Sequence, residues 1–142
     1  MLATRKVHTH HSSKQELDDL RAVIKRDLAD AAIPALSEDR RFATAYNAAL
    51  QTAKMAVACA WYRVAAVPGH HALSFECAGV ALGKQVDTLV LFFDACRRKR
   101  NVIDYTGVQI ATSTEAAELL HRAQEFTALV EVWIKASHPH LG

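Results

Sequence analysis

The residues with the most chemistry in this chain lie between positions 89 and 105, LVLFFDACRRKRNVIDY. Four consecutive bases, Arg97, Arg98, Lys99 and Arg100, are followed by Asn101 and, one helical turn later, by Tyr105. Leu89, Phe92, Phe93, Cys96 and Ile103 recur at helical spacing and define one apolar stripe. At about 100° per residue, Arg100 falls inside that stripe, where a Leu or Val is expected. A guanidinium stays charged at working pH, so burying it unpaired is costly. Arg100 must therefore meet a carboxylate, carbonyls, water in a cleft or an anionic ligand. Arg98 points to the opposite face, while Arg97 and Lys99 flank the stripe. Asn101 and Tyr105 lie one above the other on a face shared with Asp94. The competing reading is a solvated basic end that complements the helix dipole, with Arg100 paired to Asp104.

Other candidate groups are sparser. His70 and His71 are adjacent, so they project about 100° apart and do not chelate one ion as i, i+4 histidines can. At a helix start, either suits a proton donor near a phosphate, or a surface or capping role. The HTHH run (His8, His10, His11) suits weak, adventitious metal binding rather than a dedicated site. Tyr46 and Asn47 are site candidates as well, with packing the plainer role for the tyrosine. There is no P-loop, GxSxG, HExxH or paired-cysteine spacing, which removes most common enzyme classes; no metal and no cofactor is expected.

The elements that must position these groups read as helices. Ser13 and Glu16 have capping-box spacing, followed by Leu17, Leu20, Ile24 and Leu28 at helical intervals, with Pro34 at or after the end. Ser37, with Glu38 and Asp39 in the first turn, starts a second, alanine-dense helix predicted to run to residue 67. Its stripe is Tyr46, Leu50, Ala53, Val57, Trp61 and Val64. Pro68-Gly69 is a turn, a third helix spans roughly residues 72–82, and Gly83 closes it. The fourth helix is predicted over residues 85–105, with Gly107 as its stop. Ser113 or Thr114, with Glu115, begins a fifth, whose apolar positions are Ala116, Leu119, Leu120, Ala123, Val130, Trp133 and Ile134. Residues 1–12 read as a flexible arm, 13–137 as the helical domain and 138–142 as a tail. With no convincing strand, the expected class is an all-α, antiparallel four- or five-helix bundle.

The 142 residues suit one domain with a sizeable core, half of them hydrophobic. A net charge of +2 with mixed signs does not announce nucleic-acid binding, so that argument rests on the local basic cluster. Three cysteines without CxxC spacing point to buried thiols and a cytoplasmic location. The least charged run, residues 55–74, is broken by Arg63, Pro68 and Gly69, so no membrane span and no membrane partner are expected.

Taken together, the alanine- and tyrosine-rich AYNAALQTAKMAVACAWYRV, the Gly69-His70-His71 turn and a penultimate helix ending FFDACRRKRNVIDY resemble HEPN domains. The resemblance covers residues 13–137 and is nearest to the small stand-alone bacterial, SAV-like branch. Its most specific part is Arg100-Asn101 with an aromatic one turn later. It implies a homodimer in which two copies of the penultimate helix line a shared cleft. In active members an Arg, a following polar residue and a His four to six residues on cleave RNA without metal. Arg100 and Asn101 match the first two positions, and Tyr105 stands where the histidine is expected. On this pattern Arg100 stabilises charge on a scissile phosphate, Asn101 orients it, Tyr105 supplies a proton, and Arg97, Arg98 and Lys99 hold the RNA. A phenol with an ordinary pKa near ~10 is a poor general base at neutral pH. The resemblance thus implies a toxin-like endoribonuclease, with a nucleotidyltransferase-like antitoxin as partner, or a non-catalytic module that binds RNA, a nucleotide or a protein. A third reading has Arg100 and Asp104 only ordering a dimer interface.

Overall fold

The computed structural model describes residues 7–106 and 109–142. The chain runs β1 (Val7–Thr9), α1 (Lys14–Ala31), α2 (Glu38–Cys59), β2 (Tyr62–Val64), α3 (His70–Leu82), α4 (Asp87–Thr106) and α5 (Ser113–Ser137). Short 3-10 turns precede α4 and follow α5. The class is all-α, a helical bundle with one minimal two-stranded sheet.

Helix α2 is the hub and packs against α1, α3, α4 and α5. Its alanines explain how. Ala45, Ala48, Ala49, Ala53, Ala56 and Ala58 are all buried, and so short a side chain lets neighbours close in around more than one face. The larger groups of the core come from the other helices: Leu17 and Ile24 of α1, Phe75 of α3, Phe93 of α4, and Leu119, Phe126 and Ile134 of α5. A chain of aromatic contacts crosses this core, from Tyr46 to Phe75 (centroids 5.9 Å), Phe75 to Phe93 (5.3 Å) and Phe93 to Phe126 (5.2 Å).

The helix starts follow the cap chemistry. Ser13, Ser37 and Thr112 accept hydrogen bonds from the backbone N–H of Glu16, Arg40 and Glu115. The fifth helix is capped one residue earlier than expected, because Thr112 and Glu115 have the spacing of a reciprocal capping box. At α1 only half of that box forms, since the Glu16 carboxylate is taken by His10. Gly83 closes α3 at φ +82°, a backbone setting in which glycine carries no Cβ penalty.

The second helix is shorter than its pattern suggests. It ends at Cys59, Trp61 turns the chain at φ +70°, and Tyr62–Val64 pairs antiparallel with Val7–Thr9. Trp61 and Val64 therefore leave the expected helical stripe. Pairing with β1 satisfies the backbone of a β-prone Tyr-Arg-Val segment, and it buries Val7 opposite Val64. The segment expected to be an arm is thus a strand over Val7–Thr9, with His10 N–H bonded to Trp61 C=O and Ser12 to Ala58 C=O. Residues 1–6 of that arm and the Gly107 stop lie outside the described residues.

A carboxylate fixes the approach to α5. Asp39, in the first turn of α2, accepts from the backbone N–H of Ile110 at 3.0 Å and of Ala111 at 2.7 Å, while Gln109 reaches Glu38 at 3.2 Å. Removing the Asp39 carboxylate strands two backbone donors beside the buried Ala111. Asp39→Ala is therefore expected to cost ~1–3 kcal/mol, and Asp39→Asn less, because its amide oxygen still accepts. Urea unfolding midpoints of the two variants against wild type check this, and equal midpoints for all three would rule the strap out as a stabilising feature.

Candidate functional site

The site candidates on α4 are separated by the helix itself. Arg100 turns inward, with 26% of its side chain exposed, as its place in the apolar stripe requires. Its guanidinium carbon sits 5.6 Å from the centre of the Tyr46 ring, and its Nη1 donates to Asp104 at 2.7 Å. Both sequence readings are therefore present: the Asp104 pair forms, and the guanidinium also enters the space between α2, α3 and α4. Its Nε is buried and has no hydrogen-bond partner among the described residues.

The other bases go elsewhere. Arg97, also 26% exposed, is bonded to Asp94 at 3.2 Å and is the second cation near Tyr46. Arg98 is 75% exposed and lies 3.5 Å from the same carboxylate. Lys99 leans the other way and pairs with Glu115 at the start of α5, holding that carboxyl below its ordinary pKa. Four bases are thus met by three carboxylates, and none of the four stands as a free surface cation. Asn101 is exposed and Tyr105 is 95% exposed, both on the solvated face of α4. The structure does not bring them to the inward-turned Arg100.

What does meet Arg100 comes from other helices. Tyr46 is fully buried, and its hydroxyl lies 3.2 Å from Nδ1 of His71, near the start of α3. Burial pushes the Tyr46 phenol well above its usual value despite the nearby Arg100 and Arg97. It therefore keeps its proton, and its hydroxyl shares a hydrogen bond with Nδ1 of the histidine. Burial also drives the His71 imidazole down to about 4, assisted by His70, Arg100, Lys54 and Arg97. At neutral pH His71 is therefore uncharged. The left-handed Gly69 (φ +85°) at the N-terminus of α3 places the two histidines edge to face, centroids 4.4 Å apart. His70 is half-buried and its imidazole is also depressed, by burial and by Lys54.

The site assembled by the fold is therefore Arg100 with Arg97 from α4, Tyr46 from α2 and His71 from α3. It offers a planar cation, a second guanidinium and a neutral imidazole, groups suited to an anion. Sequence reading had singled out each of these residues, but Tyr46 and His71 as separate candidates with plainer alternatives. Their convergence on Arg100 is a long-range contact that helical periodicity cannot report. Asn47, in contrast, donates to the buried Asp27 at 2.6 Å and so ties α2 to α1. Among the described residues, no group of three or more His, Cys, Asp or Glu is placed to hold a metal ion, and no helix is long and apolar enough to cross a membrane. The three cysteines are buried free thiols.

The depressed imidazole sets a pH dependence. Between about 4 and the ordinary value near ~6.5, the unfolded chain binds a proton at position 71 that the folded chain does not. Stability is complete above that window and falls as pH drops through it. In an NMR titration the His71 ring signals should stay in their neutral positions down to about pH 5, and His71→Phe should flatten the acid side of the stability curve. Titration of His71 near ~6.5 would contradict its burial against Tyr46. No protein-family model, curated protein or solved structure matches the chain, so function is argued from this geometry.

Proposed function

We propose that the chain is a HEPN-like module that binds phosphodiesters, as in RNA or a nucleotide, in the cleft between α2, α3 and α4, without cutting them. One observation carries this reading. Arg100 is held over the Tyr46 ring with a buried Nε that has no partner among the described residues, beside Arg97 and the neutral His71. A buried guanidinium N–H left unsatisfied costs on the order of 1–3 kcal/mol, a debt that a phosphate oxygen would offset. Catalysis is disfavoured by the same geometry. The phenol of Tyr105 stands on the solvated face, and an imidazole lowered to about 4 is too weak a base to take a proton efficiently at neutral pH.

Binding should be lost with Arg100 and spared with Arg98. In fluorescence anisotropy with a short single-stranded RNA, Arg100→Ala should weaken binding ~10-fold and reduce the salt slope by about one unit. Arg98→Ala, whose side chain is already solvated, should change affinity less than threefold. Binding should persist in chelator, and the RNA should remain intact. Cleavage abolished by Arg100→Ala would restore the nuclease reading, while unchanged affinity in that variant would place the binding surface elsewhere.

The homodimer has its own support. Leu91 (73% exposed), Val102 (44%) and Tyr105 (95%) are large apolar groups on the outer face of α4, at spacings of eleven and three residues that keep them on one side. We propose this face as the contact between two copies. Light scattering at micromolar concentration should give a dimer for wild type and a monomer for Leu91→Glu, whereas a wild-type monomer would remove the proposal.

A further inference from the structure

A cavity of about 410 Å³ opens where β2 crosses α1 and α2, and none of Tyr46, His71 or Arg100 lines it. It exists because Trp61 turns the chain out of α2 and β1 holds the returning strand in place. Its apolar wall includes Leu20, Val57 and Val64. Its charged lining is unequal. The carboxylate of Glu16 is engaged by His10 Nε2 at 2.8 and 2.9 Å, whereas Lys54 and Arg63 have no carboxylate partner among the described residues. Lys54 and Arg63 together outnumber the single carboxylate, that of Glu16, among the lining residues. Lys54 is half-buried, and burial holds its amine below the ordinary lysine value, so its charged form gives up hydration without a protein counter-charge in return. The volume falls in the range of pockets that hold small molecules, roughly 300–1,000 Å³.

We propose that this cavity is a binding site for a small carboxylate with an apolar tail, its headgroup paired to Lys54 and Arg63 and its tail against Leu20, Val57 and Val64. One half-buried ammonium, Lys54, beside the exposed Arg63 suits a single carboxylate headgroup, and the aliphatic wall matches a saturated chain. Its lining shares no residue with the phosphodiester cleft, and its Lys54 acts on His70 and His71 only through charge.

Octanoate, octyl phosphate and octanol serve as probes, titrated by calorimetry into the full chain at pH 7.5. Octanoate should bind, with octyl phosphate weaker and octanol at least tenfold weaker. Lys54→Met, which keeps the apolar stem, should weaken octanoate at least tenfold and leave RNA binding within threefold of wild type. In wild-type protein carrying isotope-labelled lysine, octanoate should raise the Lys54 pKa seen by NMR. That measurement holds even where Lys54→Met fails to fold. Octanol binding as tightly as octanoate, octyl phosphate binding more tightly, octanoate affinity kept in Lys54→Met, or an unmoved Lys54 pKa would each overturn the assignment.

Discussion

A permanently charged group on the apolar face of α4 constrains everything near it. Arg100 occupies a position where the helix meets the core, and a guanidinium tolerates that only if its charge and its donors are answered locally. The fold answers in three ways. Asp104, one turn on, accepts from Nη1 at 2.7 Å. The Tyr46 ring offers its electron-rich face at 5.6 Å, a contact whose worth rises with desolvation. The rest of the side chain is not sealed over, and a quarter of it stays exposed. Position 46 consequently favours an aromatic residue, and Phe75 and Phe93 behind it hold that ring in place.

The same accounting limits what the basic run does. In sequence, Arg97, Arg98, Lys99 and Arg100 form an uninterrupted cationic block. In the fold, a helix distributes consecutive residues around its axis, and each meets a carboxylate of α4 or α5. Exposed pairs of this kind add little to stability, yet they lower the field that an approaching polyanion meets. On the proposed reading, affinity for a phosphodiester would rest on close contacts with Arg100 rather than on long-range attraction.

The helices, their caps and the inward turn of Arg100 were legible in the sequence because each is local. Ser13, Ser37 and Gly83 announce helix ends by their own chemistry, and a stripe needs only spacing. Phe126 was missed although it is fully buried, since it lies between the chosen stripe positions Ala123 and Val130 on a face that α2 and Phe93 also close. The strand pair was missed for a different reason. Three residues carry no period, the alanine run preceding Trp61 favours continued helix, and pairing of Tyr62–Val64 with Val7–Thr9 is a tertiary choice. The meeting of Tyr46, His71 and Arg100 is invisible for the same cause: three helices must dock before those side chains are neighbours.

Asn101 and Tyr105 show how far one helix carries two functions. They sit on the face of α4 turned away from Tyr46, beside the exposed Val102 and on the same side as the exposed Leu91 nearer the helix start. In a single chain the rigid helix keeps the phenol from the phosphate that Arg100 would hold, because no rotation of a packed α-helix brings both faces to one ligand. A second chain laid against that face would bring its own Leu91, Val102 and Tyr105 and not its inward-turned Arg100. Chemistry that needs both residues on one phosphate is therefore disfavoured, while the cluster of Arg100, Arg97 and His71 forms within one chain. The cation and its imidazole come together by folding; the Tyr105 phenol stays on the other face of α4.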